Sequence, residues 1–93
     1  MSVSYRFHLD ADTGRPHLES HGVKDFEAVE VIERPMQDFA SDRGSRIALG
    51  QTRAGRYLQV VYRRDEDGDG VFVITAFAMN EKRKAALRRR TRR

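Results

Sequence analysis

The second half of the chain contains three strand-forming segments separated by very short links, and these links leave few choices of topology. The segments cover residues 46–52 (RIALGQT), 57–63 (YLQVVYR) and 71–78 (VFVITAFA). A short link returns the chain beside the strand it has just left, so the sequence predicts an antiparallel meander. The second and third segments are apolar at most positions, which indicates a sheet covered on both faces.

A fourth strand and a short helix are predicted near the N-terminus. Along residues 3–9 the apolar Val3, Tyr5, Phe7 and Leu9 alternate with Ser4, Arg6 and His8, and this period of two predicts a half-buried strand. Pro16 suits the first turn of a helix over residues 17–21, because its missing N–H is not needed there. Gly22 is a typical residue to end that helix.

Two further helices complete the predicted α+β fold, which we expect to be a single domain over residues 1–93. Asp25 is a candidate cap for a helix that runs to about Arg34 and that Pro35 stops. Asn80 is a candidate cap for a closing helix that runs to about residue 90. We expect Ala86 and Leu87 to pack this last helix against the sheet, and we expect the outward residues to be Lys82, Arg89 and Arg93.

The positive charge of the chain is concentrated at its C-terminal end. Residues 80–93 contain eight Lys or Arg and one acidic residue, whereas residues 1–79 contain ten basic and thirteen acidic residues. Clustered cations bind polyanions tightly because binding releases counterions. The asymmetry therefore indicates an anionic partner, although a terminal run of charge is also typical of a solvated end. We expect residues 88–93 to form a basic, frayed tail.

Composition and patterning exclude several classes of protein. The chain has no cysteine, which excludes disulfides, a thiolate zinc site and a cysteine nucleophile. No apolar run approaches the roughly 20 residues that span a bilayer, and residues 1–10 do not resemble a signal peptide. These observations predict a cytoplasmic protein without membrane contact.

An acidic segment between the last two strands resembles the start of a calcium loop. Asp65, Asp67 and Asp69 followed by Gly70 match D-x-D-x-D-G, but the twelfth position is Ala76, where an EF-hand requires a glutamate. We therefore interpret the segment as an acidic turn and predict neither a metal nor a cofactor.

The histidines offer a second candidate site. His17 and His21 are four residues apart and share one side of a helix, but a zinc site needs a third ligand, and Glu19 lies on the wrong side to supply it. A surface histidine is the simpler interpretation. His21 nevertheless remains a candidate general acid or base, because imidazole titrates near neutral pH.

Arginines lie at the ends of the meander strands, where they could bind phosphate. They are Arg46, Arg56, Arg63 and Arg64. Arginine binds phosphate bidentately and keeps its charge at any working pH. The alternative is that these side chains are solvated or form salt bridges with the acidic residues of the preceding helix, Glu27, Glu30 and Glu33.

Three segments, in the same order, resemble the BrnT-type toxins and their uncharacterised relatives. The segment HLESHGVKDFEAVEVIERP resembles their R-H-G-V-x-x-x-E-A-x-x-V helix, and GQTRAGRYLQVVYRR resembles their G-x-T-x-x-G-R-x-L-x-V-V-Y hairpin. The segment VFVITAFAMNEKRKAALRR resembles their last strand and closing helix. The resemblance covers the chain from about Arg15 onwards.

This resemblance implies a RelE/ParE-like fold, in which helices pack on one side of a small antiparallel sheet. It also implies the toxin of a type II toxin–antitoxin pair that cleaves RNA without a metal. The expected partners are RNA and a cognate antitoxin protein, and a homodimer stays open. The alternative is a non-catalytic module with the same fold that binds nucleic acid or protein.

Residues of the candidate RNA site follow from the resemblance and from charge. Carried over by position, the resemblance places Arg46, Arg56, Lys82 and Arg83 at the site, and His21 or Tyr62 could assist proton transfer. The candidate catalytic residues are therefore His21, Arg46, Arg56, Tyr62 and Lys82. The candidate RNA-binding residues are Arg63, Arg64, Arg83, Lys84, Arg88 and Arg89.

Overall fold

The computed structural model describes residues 3–91 as a small α+β fold with five strands and two α-helices. The elements are β1 (Ser4–Phe7), α1 (Asp25–Glu33), β2 (Gln37–Ala40), β3 (Arg46–Gln51), β4 (Tyr57–Arg64), β5 (Gly70–Ala78) and α2 (Glu81–Thr91). Two 3₁₀ helices, His17–His21 and Asp42–Gly44, lie in the connections. The predicted bounds of the meander strands and of both α-helices are confirmed to within one residue. Gly22, at φ 74°, ends the first 3₁₀ helix as predicted.

The five strands form one mixed sheet in the order β1-β5-β4-β3-β2. β2 to β5 are antiparallel to their neighbours, as the short links predict. β1 is parallel to β5, with Tyr5 paired to Val71 and Phe7 to Val73. The prediction of a wholly antiparallel sheet is therefore wrong at this edge. Because most of the chain separates β1 from β5, no short link fixes their relative direction.

β2 was not predicted from the sequence. Its four residues, QDFA, are too short and too polar to show a strand pattern, and Pro35 lies just before them. Pairing with β3 creates the strand, since Gln37 lies opposite Leu49 and Ala40 opposite Arg46. A short and polar strand is typical of a sheet edge, where a long apolar strand would invite aggregation.

One face of the sheet, which we call the α1 face, carries the larger core. Buried side chains from the first 3₁₀ helix and from α1 pack there on buried side chains of β3, β4 and β5. The helices contribute Leu18, Val31 and Ile32, and the strands contribute Ala48, Leu58, Val60, Tyr62, Val71, Val73 and Ala76. α1 approaches β3 so closely that a Cβ on Gly50 would lie 3.3 Å from Val31 Cγ1. Glycine at position 50 therefore sets the distance between the helix and the sheet.

The opposite face, which we call the α2 face, carries a smaller core around the C-terminal helix. Leu87 is completely buried against Leu49 and Met79, as predicted, whereas Ala86 is only half-buried. Asn80 caps α2, because its Oδ1 accepts a hydrogen bond from the Arg83 N–H at 2.8 Å. The two α-helices thus lie on opposite faces, so the arrangement with helices on one side is wrong.

The basic end of the chain is helical as far as the structure describes it. α2 continues through Thr91, and both Lys82 and Arg89 are exposed as expected. Arg93 and the end of the predicted frayed tail lie outside the described residues.

We expect Leu87→Ala to lower the free energy of unfolding by about 2–5 kcal/mol, because it removes the only fully buried side chain that α2 contributes within residues 81–91. Urea denaturation measures this change. Arg89→Ala, an exposed position on the same helix, is the matched control and should change stability by no more than about 0.5 kcal/mol. Equal effects of the two substitutions would show that α2 is not docked through Leu87.

Candidate nucleic-acid interface

Part of the α2 face has no helix over its side chains, and we call this part the open face. It is formed by Arg6, His8, Arg63, Phe72 and Phe77, together with the rim residues His21 and Arg83. Phe72 pairs with both Arg6 and Arg63, and Phe77 pairs with Gln59. Directly paired residues project to the same side of a sheet. Gln59 projects towards α2, since its Oε1 accepts a hydrogen bond from the Arg83 guanidinium.

A β-bulge brings the two phenylalanines to the same face. Five positions separate Phe72 from Phe77, so a regular strand would place them on opposite sides. The register shifts where Val61 pairs with Thr75 and Tyr62 pairs with Val73, which leaves Ile74 as an extra residue in β5. Both rings therefore lie half-buried on the open face.

Polar and charged groups surround these two rings. The Arg6 guanidinium lies 5.8 Å from the centre of the Phe72 ring and also pairs with Asp65 in the β4–β5 turn. Arg63 is exposed beside Phe72. Between the two phenylalanines along β5, the buried hydroxyl of Thr75 has no hydrogen-bond partner among residues 3–91. The open face thus combines aromatic surface with cations and an unsatisfied polar atom.

All three histidines of the chain form a row along one edge of the open face. The ring centres of His8 and His17 are 5.7 Å apart, and those of His17 and His21 are 5.1 Å apart. His8 lies beside Phe72 at 6.5 Å, and His21 lies beside Phe77 at 6.1 Å. The row therefore spans the distance between the two aromatic rings.

Sequence reasoning found only part of this row. The spacing of His17 and His21 is visible in the sequence, whereas His8 occupies a polar position of the first predicted strand and no motif joins Asp10 to the histidines. The chain folds back so that His17 N–H donates to the His8 carbonyl at 2.8 Å and Asp10 N–H donates to the Arg15 carbonyl at 2.9 Å. The turn-forming residues Asp12, Gly14 and Pro16 indicate that the chain reverses direction between residues 10 and 16. This reversal is the signal from which the position of His8 opposite His17 could have been predicted.

Arg46 and Tyr62 do not join His21, because they lie on the α1 face. Both bind the Asp38 carboxylate: Arg46 Nε donates to Oδ1 at 2.7 Å, and the Tyr62 hydroxyl donates to Oδ2. Burial raises the pKa of Tyr62, and the hydrogen bond to Asp38 raises it further. A raised pKa disfavours the tyrosinate that a general base would need. Arg64 stacks on Tyr62 at 5.4 Å and belongs to the same cluster.

Arg56 ties the start of β4 to the start of α1. Its Nη1 donates to the Glu27 carboxylate at 2.9 and 3.1 Å and to the Gly22 carbonyl at 3.0 Å. Glu27 is buried, so its charge needs this partner. Arg56 therefore forms a salt bridge with the acidic helix α1. This was the alternative to phosphate binding that the sequence left open for this arginine.

The basic residues of α2 have different surroundings. Arg83 reaches Gln59 at the rim of the open face, and Lys82 is exposed on the same turn. Lys84 pairs with Glu81 at 3.2 Å, and Arg88 stacks on Tyr57 at 5.5 Å. Arg89 is exposed. Of the predicted site residues, Arg63 lies on the open face beside Phe72, while His21 and Arg83 lie at its rim near Phe77 and Gln59, and Lys82 precedes Arg83 in α2.

A groove of about 340 Å³ continues from the open face along α2 towards β2. Its floor includes Ile47 and Leu49, and Phe39 forms the wall at the sheet edge. Arg83 and Arg90 line the helical side, where Arg90 also donates to Gln37 at 3.1 Å. The concave surface of the α2 face therefore extends beyond β1 and β5.

The acidic segment between β4 and β5 forms a turn, as interpreted. Gly68 N–H donates to the Asp65 carbonyl at 3.0 Å, and Asp67 Oδ1 accepts from the Asp69 N–H at 3.0 Å. Among the described residues, no three His, Asp or Glu side chains are arranged to hold a metal ion. No helix within residues 3–91 has the length and apolar character needed to cross a membrane.

Comparisons with known proteins do not identify a family. No protein-family model matches the chain, and no curated protein matches it. The resemblance to BrnT-type toxins therefore stays a hypothesis that rests on the motifs of the sequence.

We expect the free energy of unfolding to decrease as the pH rises above about 10, the ordinary pKa of tyrosine. Tyr5 and Tyr62 both have pKa values raised by burial, so the unfolded chain loses these protons at a lower pH than the folded chain. Above that pH the folded state therefore binds more protons than the unfolded state, and the free energy of unfolding falls as the pH rises. Urea titrations at pH 8 and at pH 10.5 measure the slope. Tyr62→Phe should reduce the slope of the free energy of unfolding against pH, because it removes one of the two shifted groups. An unchanged slope would contradict the raised pKa of Tyr62.

Proposed function

We propose that this chain is a type II toxin-like protein that binds single-stranded RNA on the open face and cleaves it without a metal. The observation that supports this most directly is the pair Phe72 and Phe77, flanked by arginines and histidines on an uncovered sheet. Bases stack on aromatic rings in a sequence-tolerant way, and exposed bases of single strands are available for such stacking. Arg63 and Arg83 supply charge for the phosphates.

The chemistry we propose is attack of a ribose 2′-oxygen on the neighbouring phosphorus. This reaction needs a base for the 2′-OH proton, an acid for the 5′-oxygen and cations for the charge that develops on phosphate. His21 lies beside Phe77 and is suited to proton transfer, while Arg63, Arg83 and Lys82 are suited to stabilising the phosphate. Arg46, Arg56 and Tyr62 are not part of this proposal, since each is engaged away from the open face.

Position 77 favours a second candidate function. Where the last strand of the BrnT-type motif carries a basic residue after T-A, this chain has Phe77. That difference replaces a cation with a stacking surface, which is the change expected in a module that binds RNA without cleaving it. Cleavage assays distinguish the two candidates, whereas binding assays do not.

We expect Phe77→Leu and Arg63→Gln each to weaken binding of a single-stranded oligoribonucleotide. Loss of one stacked base costs about 1–3 kcal/mol, which corresponds to a roughly 5- to 150-fold rise in Kd. Arg63→Gln should also reduce the slope of log K against log salt by about 0.7 if Arg63 contacts one phosphate. Fluorescence anisotropy across a salt series measures both quantities.

The matched control for this experiment is Arg34→Gln. Arg34 is exposed at the end of α1, so the substitution removes the same charge from the other side of the molecule. Its Kd and salt slope should equal those of the unmodified protein. Equal weakening by Arg34→Gln and Arg63→Gln would show that only net charge matters and would reject the open face as the binding site.

We expect the purified protein to cleave a single-stranded oligoribonucleotide in the presence of EDTA and to leave a 2′,3′-cyclic phosphate. A matched oligonucleotide with one 2′-deoxy sugar at the cleaved position should be resistant there, because the nucleophile is missing. Mass spectrometry of the products measures both outcomes. Tight binding with intact RNA would reject cleavage and support the binding module.

The toxin assignment has its own test, which is expression of the chain in bacteria with and without a neighbouring reading frame. We expect growth arrest and RNA loss when the chain is expressed alone, and we expect relief when a small adjacent frame encoding the antitoxin is co-expressed. Harmless expression of a well-folded chain that cleaves RNA in vitro would contradict the toxin role while leaving the enzyme activity.

A further inference from the structure

We propose that His17 is the general base of this cleavage reaction and that Asp10 is its positioning residue, an assignment that rests on the proposed ribonuclease function. Asp10 lies outside the segments that suggested the family, and His17 precedes the part of its segment that matches the R-H-G-V pattern, which is His21, Gly22 and Val23. The assignment comes from one contact: His17 Nδ1 lies 2.8 Å from Asp10 Oδ1, in a part-buried environment.

The contact with Asp10 determines which nitrogen of His17 can act as the base. An ionised carboxylate only accepts hydrogen bonds, so the proton of the neutral imidazole resides on Nδ1. Nε2 then carries the free lone pair. The carboxylate also stabilises the imidazolium that forms after the base has taken a proton, as in other pairs of histidine and aspartate.

The backbone holds both members of this pair in place. Asp10 donates its N–H to the Arg15 carbonyl at 2.9 Å, and its own carbonyl accepts the Gly14 N–H at 2.8 Å. His17 is joined to His8 by a backbone hydrogen bond of 2.8 Å, and His8 is joined in turn to Val73 of β5 at 2.9 Å. The side chains of Asp10 and His17 are therefore fixed relative to the edge of the open face, as positioned catalytic groups must be.

His17 stands next to a second histidine that can serve as the acid. His21 is 5.1 Å from His17 between ring centres and 6.1 Å from Phe77. A nucleotide stacked on Phe77 would place its phosphodiester near both imidazoles. In such a pair, one imidazole can take the proton of the 2′-OH while the other gives a proton to the 5′-oxygen of the same phosphodiester.

The proposed step is balanced by these two residues. Neutral His17 Nε2 takes the proton of the 2′-OH, and the 2′-oxygen forms a bond to phosphorus. The bond from phosphorus to the 5′-oxygen breaks, and protonated His21 gives its proton to that oxygen. The products are a 2′,3′-cyclic phosphate and a free 5′-hydroxyl, and proton exchange with water restores both histidines.

Steady-state cleavage of a synthetic oligoribonucleotide in EDTA tests the assignment with three variants. We expect His17→Gln to lower kcat by about 10²–10⁴-fold with KM changed by no more than about threefold. Asp10→Asn keeps the shape of the side chain but removes its charge, and it should lower kcat by at least about tenfold. Asp12→Asn, an exposed carboxylate of the same turn, is the matched control and should leave kcat unchanged.

A second measurement separates positioning from folding. Long-range ¹H–¹⁵N NMR spectra of the histidine rings should show His17 protonated on Nδ1 in the unmodified protein, and Asp10→Asn should lose this tautomer while the backbone spectrum stays folded. Cleavage that survives both His17→Gln and Asp10→Asn would overturn the assignment and leave the proposed ribonuclease standing. Failure of the unmodified protein to cleave RNA would overturn both.

Discussion

β4 occupies the centre of the sheet and carries apolar side chains on both faces, so each face needs a cover. Leu58 and Val60 project into the core beneath α1, whereas Tyr57 projects towards α2. α1 covers its face of the sheet with several buried apolar side chains. Among the described residues, α2 has one fully buried side chain, Leu87, and its other residues are small, polar or charged. The incomplete cover on the α2 face leaves a surface with half-buried aromatic rings, and this surface is where we place RNA.

The net charge of the chain overstates how many cations are free to meet a polyanion. Arg46 is neutralised by Asp38, Arg56 by Glu27 and Lys84 by Glu81. The pair of Arg56 and Glu27 holds α1 against β4, and its loss would leave a buried carboxylate without a partner. Arg63, Arg83 and Lys82 have no such ion pair among the described residues. The location of the cations therefore says more about binding than their number.

Local patterns in the sequence predicted the local parts of the fold. Short links fixed the meander of β3, β4 and β5, and Asn80 marked the start of α2, because turn length and capping depend on neighbouring residues. Contacts between distant segments were not accessible in this way. β1 lies parallel to β5, β2 exists only through its pairing with β3, and His8 meets His17 only after the chain has turned back. His21 was recognised as a candidate, but Asp10 was not, since its role arises from a contact that the sequence does not display.

The extra residue in β5 has a consequence for how this strand can change by insertion or deletion. With Ile74 present, the alternation of β5 is shifted by one step halfway along its length, and Phe72 shares a side with Phe77. Removing that residue would leave Phe72 four positions from Phe77, so a regular strand would still carry both rings on the same side. Pairing the complete strand without the bulge would have the opposite effect: Phe72 would turn into the core, while Val71 and Val73 would turn outwards. The bulge thus sets the phase of the strand, and a chain of the same composition that paired without it would retain a sheet without a two-ring aromatic platform.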